Sequence, residues 1–143
     1  MRIADVLSNK GAAVATIAPE TTVSQLLASL AALNIGAMVV VGDDGLAGIV
    51  SERDVVRELH KRGGGLLGQP VSEIMTTVLA TCTPRDTVDH LVVLMTQNRV
   101  RHVPVLDDGR LAGIVSIGDV VKTRMEELET EQQHLQDYIT QGG

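Results

Sequence analysis

A chain of 143 residues with a formal charge of −6 has no basic stripe for nucleic acid, and no apolar run near the roughly 20 residues of a membrane span. One Tyr and no Phe or Trp exclude an aromatic platform for stacked bases, so any purine ring must rest on aliphatic side chains and backbone. The single Cys82 cannot close an internal disulfide, and an acid at Asp5 precedes any apolar signal core, so a reducing cytoplasm is the expected compartment.

Residues 1–13 read as a lead-in, with Ile3, Val6 and Leu7 on one helical face before Gly11 interrupts it. Residues 14–18 are predicted as a short apolar strand ended by Pro19. Thr22 and Gln25 make a capping box, and Val23, Leu26, Leu27, Leu30 and Leu33 recur at helical spacing as far as Gly36. Residues 37–41, the turn Asp43-Asp44-Gly45 and residues 46–50 form a hairpin; a second helix runs from Asp54 to about Arg62. The order is strand, helix, strand, strand, helix.

A shift of 65 residues brings the pattern back without a gap: Pro19 becomes Pro84, Thr22 Thr87, Leu26 Leu91, Gly48 Gly113, Ser51 Ser116 and Asp54 Asp119. Residues 71–76 echo the lead-in at 3–7, and residues 63–70 read as a flexible glycine-rich linker. The expected division is 1–62 for repeat 1 with its lead-in, 63–70 for the linker, 71–123 for repeat 2 and 124–143 for a C-terminal helix. A half of this size is a marginal folding unit, so the two should pack together. The middle strand of each half is apolar on both faces, and the partner repeat is expected to cover the second face. The expected fold is mixed α/β (α+β): two β-α-β-β-α repeats related by a pseudo-two-fold axis, with clefts between them, plus an extended C-terminal helix.

The chemistry concentrates where each hairpin runs into a helix, at Ser51 with Asp54 and at Ser116 with Asp119. A hydroxyl, a carboxylate and free amide N–H groups converge there, a place to hold a polyol next to an anion. Helix capping alone is the competing reading. The copies differ, because Glu52-Arg53 stands against Ile117-Gly118 and Arg101-His102 against Gly36-Ala37. Arg53, Arg99 and Arg101 are candidates to neutralise a phosphate, and His102 is a candidate donor or pH reader.

Past Asp119, the residues Val121, Met125, Leu128, Gln132, Leu135 and Ile139 form a heptad-like stripe that must fold back or meet a second chain; a homodimer is the expectation. Gly63-x-Gly65-x-x-Gly68 has the letters of a dinucleotide loop, but it follows a helix and opens none. The four histidines fall at no metal-ligand spacing, Cys82 reads as an inert buried thiol, and no catalytic apparatus stands out.

The segments Gly48-Ile49-Val50-Ser51-Glu52-Arg53-Asp54 and Gly113-Ile114-Val115-Ser116-Ile117-Gly118-Asp119, with Arg101-His102-Val103-Pro104-Val105, resemble a tandem pair of CBS domains. That resemblance implies a regulatory, non-enzymatic module that binds an adenosine compound between its repeats: AMP, ADP or ATP, with NAD(H) and S-adenosylmethionine in the same class. It implies no catalytic cofactor. Asp54 and Asp119 would hold ribose; Ser51, Ser116, Arg53, Arg99, Arg101 and His102 would hold phosphate or ribose. The adenine ring is expected against Thr16, Ile17, Ala18, Ile35, Ala37 and Met38 of one half and Thr81, Cys82, Val100, Val103 and Pro104 of the other. A dimer read by a protein effector is the implied partner arrangement. The alternative is an interaction scaffold with vestigial clefts.

Overall fold

The computed structural model describes residues 1–11, 14–78 and 80–142; the lead-in expectation at residues 12 and 13 and the C-terminal helix expectation at residue 143 lie outside the described residues. Helix α1 (Ile3–Lys10) precedes β1 (Thr16–Ile17), α2 (Val23–Leu33), β2 (Ala37–Gly42), β3 (Gly45–Ser51) and α3 (Glu52–Arg62). Two 3-10 turns, Gly63–Gly68 and Val71–Glu73, lead to α4 (Val88–Asn98), β4 (His102–Asp107), β5 (Arg110–Ser116) and α5 (Ile117–Gly142). The fold is the mixed α/β pair of repeats, with the long C-terminal helix in place.

The repeat symmetry reaches fine detail. In each half the hairpin carries one irregularity, between Val40 and Val41 in β2 and between Val105 and Leu106 in β4, 65 residues apart. Thr22 and Gln25 form the reciprocal cap of α2, and Thr87 caps α4 through the His90 N–H. Helix α2 ends at Leu33 rather than at Gly36, because Asn34 takes the left-handed conformation and closes the last turn. Its counterpart 65 residues on is Arg99, also left-handed at φ 54°, a conformation that costs a residue with a Cβ.

The opening strands are shorter than expected, and unequally so. Strand β1 holds two residues, parallel to β2 in the register Thr16↔Val39 and Ile17↔Val40. In repeat 2, among the described residues, the opening segment keeps only the bridge Cys82↔Val105 to β4. The cause is one residue: Val39 N–H donates to the Ala15 carbonyl at 3.3 Å, whereas Pro104 at the equivalent place has no N–H to give.

The two lead-ins are exchanged. The apolar face of α1 (Ile3, Val6, Leu7) packs into the core of repeat 2, beside Val88, Leu91, Val103 and Val115. Ile3 N–H and Ala4 N–H donate to the Asp86 and Pro84 carbonyls, each at 2.9 Å. Conversely Leu66, Val71 and Ile74 join the core of repeat 1 with Val23, Leu26, Val40 and Val50. Val23 N–H donates to the Gln69 carbonyl at 2.9 Å. The stretch 63–70 is therefore not the free linker its glycines suggest. Leu66 is fully buried, and its apolar side chain pins the Gly63–Gly68 turn to the core.

Each middle strand is apolar on both faces for a visible reason. Met38 and Val40 point to the core of repeat 1, and Val103 and Val105 to that of repeat 2. By strand alternation Val39 and Pro104 point the other way, into the clefts between the repeats. Gly48 and Gly113 keep the following strands thin where the lead-ins cross. A Cβ on Gly48 would meet the Thr76 carbonyl at 2.7 Å, and one on Gly113 would meet Leu7 Cδ2 at 2.6 Å.

Candidate functional site

Each strand-to-helix junction builds the same local structure. In the first, Ser51 N–H and Oγ donate to Asp54 Oδ2 at 2.8 and 3.1 Å, and Asp54 N–H donates back to Ser51 Oγ at 3.4 Å, which caps α3. In the second, Ser116 N–H donates to Asp119 Oδ2 at 2.8 Å, and Asp119 N–H donates back to Ser116 Oγ at 3.1 Å. Capping is thus part of what both pairs do. Ser51 and Asp54 both line one cleft, and Ser116 lines the other.

Cleft 1, of about 500 Å³, joins the Ser51–Asp54 junction of repeat 1 to the α4–β4 turn of repeat 2. Its wall holds four arginines, Arg53, Arg57, Arg99 and Arg101, against the carboxylates of Glu52 and Asp54, so it favours an anion. Apolar surface comes from Ile49, Val78, Ala80, Val100 and Pro104. Asp54 is buried, with Arg57 Nη2 on its Oδ1 at 2.5 Å and the Thr76 hydroxyl at 3.5 Å. Arg57 itself lies on the surface.

Cleft 2, of about 550 Å³, is the 65-residue image of cleft 1 with different chemistry. Leu33, Ile35 and Ala37 stand where cleft 1 has Asn98, Val100 and His102, and Val39 stands where it has Pro104. Its one lysine, Lys10 at the end of α1, donates to Asp119 Oδ2 at 2.6 Å and to the Ile114 carbonyl at 2.7 Å. Burial pushes the Asp119 carboxyl up, but hydrogen bonds from Lys10 and Ser116 outweigh it and hold the group below its ordinary value.

His102 lines both clefts. Burial, and then the Lys10 ammonium, lower its pKa below the ordinary imidazole value, so the ring is neutral at pH 7. Cys82 is pushed up to about 12 by burial and by Asp86, the state of an inert thiol.

Of the residues singled out in the sequence, cleft 1 brings together Ser51, Arg53, Asp54, Arg99, Val100, Arg101, His102 and Pro104. Cleft 2 brings together Ser116, Ile35, Ala37 and His102, with Asp119 behind Lys10. Seven others line neither cleft. Met38, Cys82 and Val103 are buried on the helix-facing side, Thr16 and Thr81 are exposed, and Ile17 and Ala18 are half-buried in the β1 segment. The reason is the two-residue period of a strand, which puts Val39 rather than Met38, and Pro104 rather than Val103, toward the clefts. Sequence reasoning missed Lys10, Arg57, Thr76 and Asn98. The signal for two of them was present: Lys10 and Thr76 sit at the ends of the two matching lead-ins. Among the described residues no His, Cys, Asp and Glu cluster is placed to hold a metal ion, and no helix is long and apolar enough to cross a membrane.

The family model for the CBS domain matches residues 3–61 and again residues 71–126. The CBS domain-containing protein CBSX3, mitochondrial, of Arabidopsis thaliana is 39% identical over 99% of this chain and 72% of its own length. The crystal structure of the CBS-domain containing protein ATU1752 from Agrobacterium tumefaciens superposes with a TM-score of 0.81 at 44% identity, covering 86% of this chain and 92% of that one. Two more distant neighbours hold ligands. The CBS domain protein PAE2072 from Pyrobaculum aerophilum was solved with AMP (TM-score 0.73, 26% identity, 83% and 89% covered). The CBS domain pair of MJ0100 was solved with 5′-methylthioadenosine and S-adenosyl-L-methionine (TM-score 0.77, 25% identity, 89% and 98% covered). With both repeats matched and nearly the whole chain aligned, the protein belongs to the CBS domain family.

Proposed function

We propose that this chain is a regulatory module that binds an adenosine nucleotide, AMP, ADP or ATP, with NAD(H) in the same class, and passes its occupancy to a protein effector. The observation that carries the reading is the convergence of Asp54, Ser51 and four arginines on one cleft. Asp54 accepts the two ribose hydroxyls, a charge-assisted pair of hydrogen bonds. Arg57 leaves the carboxylate and joins Arg53, Arg99 and Arg101 on the phosphates. Ile49, Val100 and Pro104 take the adenine ring in place of aromatic residues. The AMP bound to PAE2072 and the adenosine ligands of MJ0100 support the ligand class.

Two further parts complete the proposal. The module works as a homodimer through α5, where Val121, Met125, Leu128, Leu135 and Ile139 are all more than half exposed in the single chain. It resides in a reducing cytoplasm, in keeping with a lone buried thiol. One observation favours the scaffold alternative: Asp54 and Asp119 each already have a protein cation as partner.

Thermal unfolding with AMP, ADP, ATP, NAD, NADH, S-adenosylmethionine and a GMP control decides between them. A ligand at a hundred times its Kd adds about 2.7 kcal/mol, a shift of several degrees for a chain of this size. The shift should appear with an adenosine nucleotide, be absent with GMP and be lost in Asp54→Ala. If nucleotide-stripped protein responds to none of them, the scaffold takes its place.

A further inference from the structure

Helix α5 is held to its own chain near its start. Val120 and Thr123 are buried, Val120 in the repeat 2 core, whereas every residue from 128 to 142 is exposed. That stretch is about 22 Å of helix at 1.5 Å per residue, and a helix of this length standing alone is marginal in water. It needs a cover.

Val121, Met125, Leu128, Gln132, Leu135 and Ile139 alternate spacings of four and three, the seam of a two-stranded coil with one polar member. The buried Val120 and Thr123 fall off this seam, so the body of the chain does not stand in its way. The residues that flank the seam are balanced in charge, Lys122 and Arg124 against Glu129 and Glu131, while Glu126 and Asp137 lie on the outer face. A strongly basic or acidic partner helix gains nothing from a balanced edge. A second copy of this chain matches it.

The direction of the pair follows from Gln132 and the two glutamates. With both helices running the same way and in register, Gln132 meets the partner's Gln132, amide to amide, and Arg124 meets the partner's Glu129 across the seam. Arg124 also pairs with Asp89 and Glu127 of its own chain, which holds the guanidinium at this edge. With the helices opposed and all six seam positions matched, Gln132 is buried against the partner's Leu128, which leaves its amide without a partner. The same arrangement sets Glu129 against the partner's Glu129 and Glu131 against the partner's Glu131. Sliding the opposed pair by one heptad improves the charges but carries Leu135 and Ile139 past the partner's stripe.

We propose that α5 pairs with α5 of a second copy in parallel and in register, with Gln132 fixing the register. This rests on the homodimer reading and adds the direction of the pair. The two repeat 2 bodies then sit side by side at the same end of the coil.

Disulfide trapping on the full chain tests the direction. Cys82 is buried and stays out of the reaction, and Met125→Cys and Leu135→Cys change exposed side chains that the single chain does not need for its core. A disulfide requires Cα atoms within about 7 Å of each other. In the parallel pair each single variant meets its own copy, so each should run mostly as a covalent dimer on a non-reducing gel after treatment with oxidised glutathione. In the opposed pair residue 135 lies about 15 Å along the axis from its own copy, and only the doubly substituted chain links. Sedimentation equilibrium is measured beside the gels. A dimer whose single variants stay unlinked overturns the parallel arrangement and leaves the homodimer reading standing; a chain that is monomeric throughout overturns both. Gln132→Leu should tighten self-association about tenfold or more, since it removes the polar member of the seam. No gain would take Gln132 off the seam and overturn the register.

Discussion

Repeat 1 and repeat 2 use the same backbone to make two electrostatically different clefts. In repeat 1 the aspartate of the strand-to-helix junction is met by Arg57 from its own helix, beside a wall rich in arginine; in repeat 2 it is met by Lys10, from a helix at the other end of the chain. The serine and the aspartate stand at the same spacing in both, with Glu52-Arg53 between them in one and Ile117-Gly118 in the other. A duplicated motif therefore duplicates a cap and a shape, while the charge of each pocket is set by side chains outside the motif: the arginines of α3 and of the α4–β4 turn in cleft 1, and Lys10 of the exchanged lead-in in cleft 2. The second contrast is length. Helix α3 stops at Arg62, and α5, which starts at the equivalent place, runs on to Gly142.

Removing that extra length should have the largest effect. A chain ending at Thr123 keeps Val121 but loses Met125, Leu128, Leu135 and Ile139 from the exposed apolar stripe of α5, in which each side chain covered by a partner contributes roughly 1.5–3 kcal/mol. Sedimentation equilibrium should show a dimer for the full chain and a monomer for the shortened one. A shortened chain that remains dimeric would remove α5 as the main contact and leave the two helices more alike than they look.

The paired glycines sharpen the comparison at an intermediate scale. At Gly48 an added methyl meets a backbone carbonyl, which cannot move alone; at Gly113 it meets the end of the Leu7 side chain, which can turn away. Gly48→Ala should cost about 1–3 kcal/mol in urea unfolding and Gly113→Ala less. Equal losses would mean that Leu7 is held as firmly by the repeat 2 core as the Thr76 backbone is by β3.

The smallest effect concerns His102, whose counterpart is Ala37. Its imidazole is flanked by Lys10 and Arg101, which lower its pKa, and by Asp119 and Asp54, which raise it; burial makes the net shift downward. The unfolded chain therefore takes up the proton first as pH falls below 6.5, the ordinary value. In that window stability rises with pH and falls on acidification. Thermal midpoints between pH 7.5 and 5.5 should drop more steeply for the wild type than for His102→Asn, and parallel slopes would show that the ring titrates freely.

Much of this architecture is written locally. The caps at Thr22 and Thr87, the hairpins and the Ser–Asp junctions depend on residues within a few positions of one another, so they can be read in order along the chain. The expected adenine wall was less legible, since choosing Met38 over Val39 is a matter of which strand face looks outward. Leu66 was hidden by its glycines, whose freedom of conformation says nothing about where one leucine between them goes.

By itself the amino-acid sequence determined the repeat, its element order and the two polar junctions, because propensity, spacing and capping act over short distances. The tertiary structure alone decided which lead-in covers which core, which cation meets each aspartate and therefore which cleft suits an anion. Those outcomes depend on contacts between residues far apart in the chain, Lys10 and Asp119 above all, and no local pattern encodes a partner more than a hundred positions away.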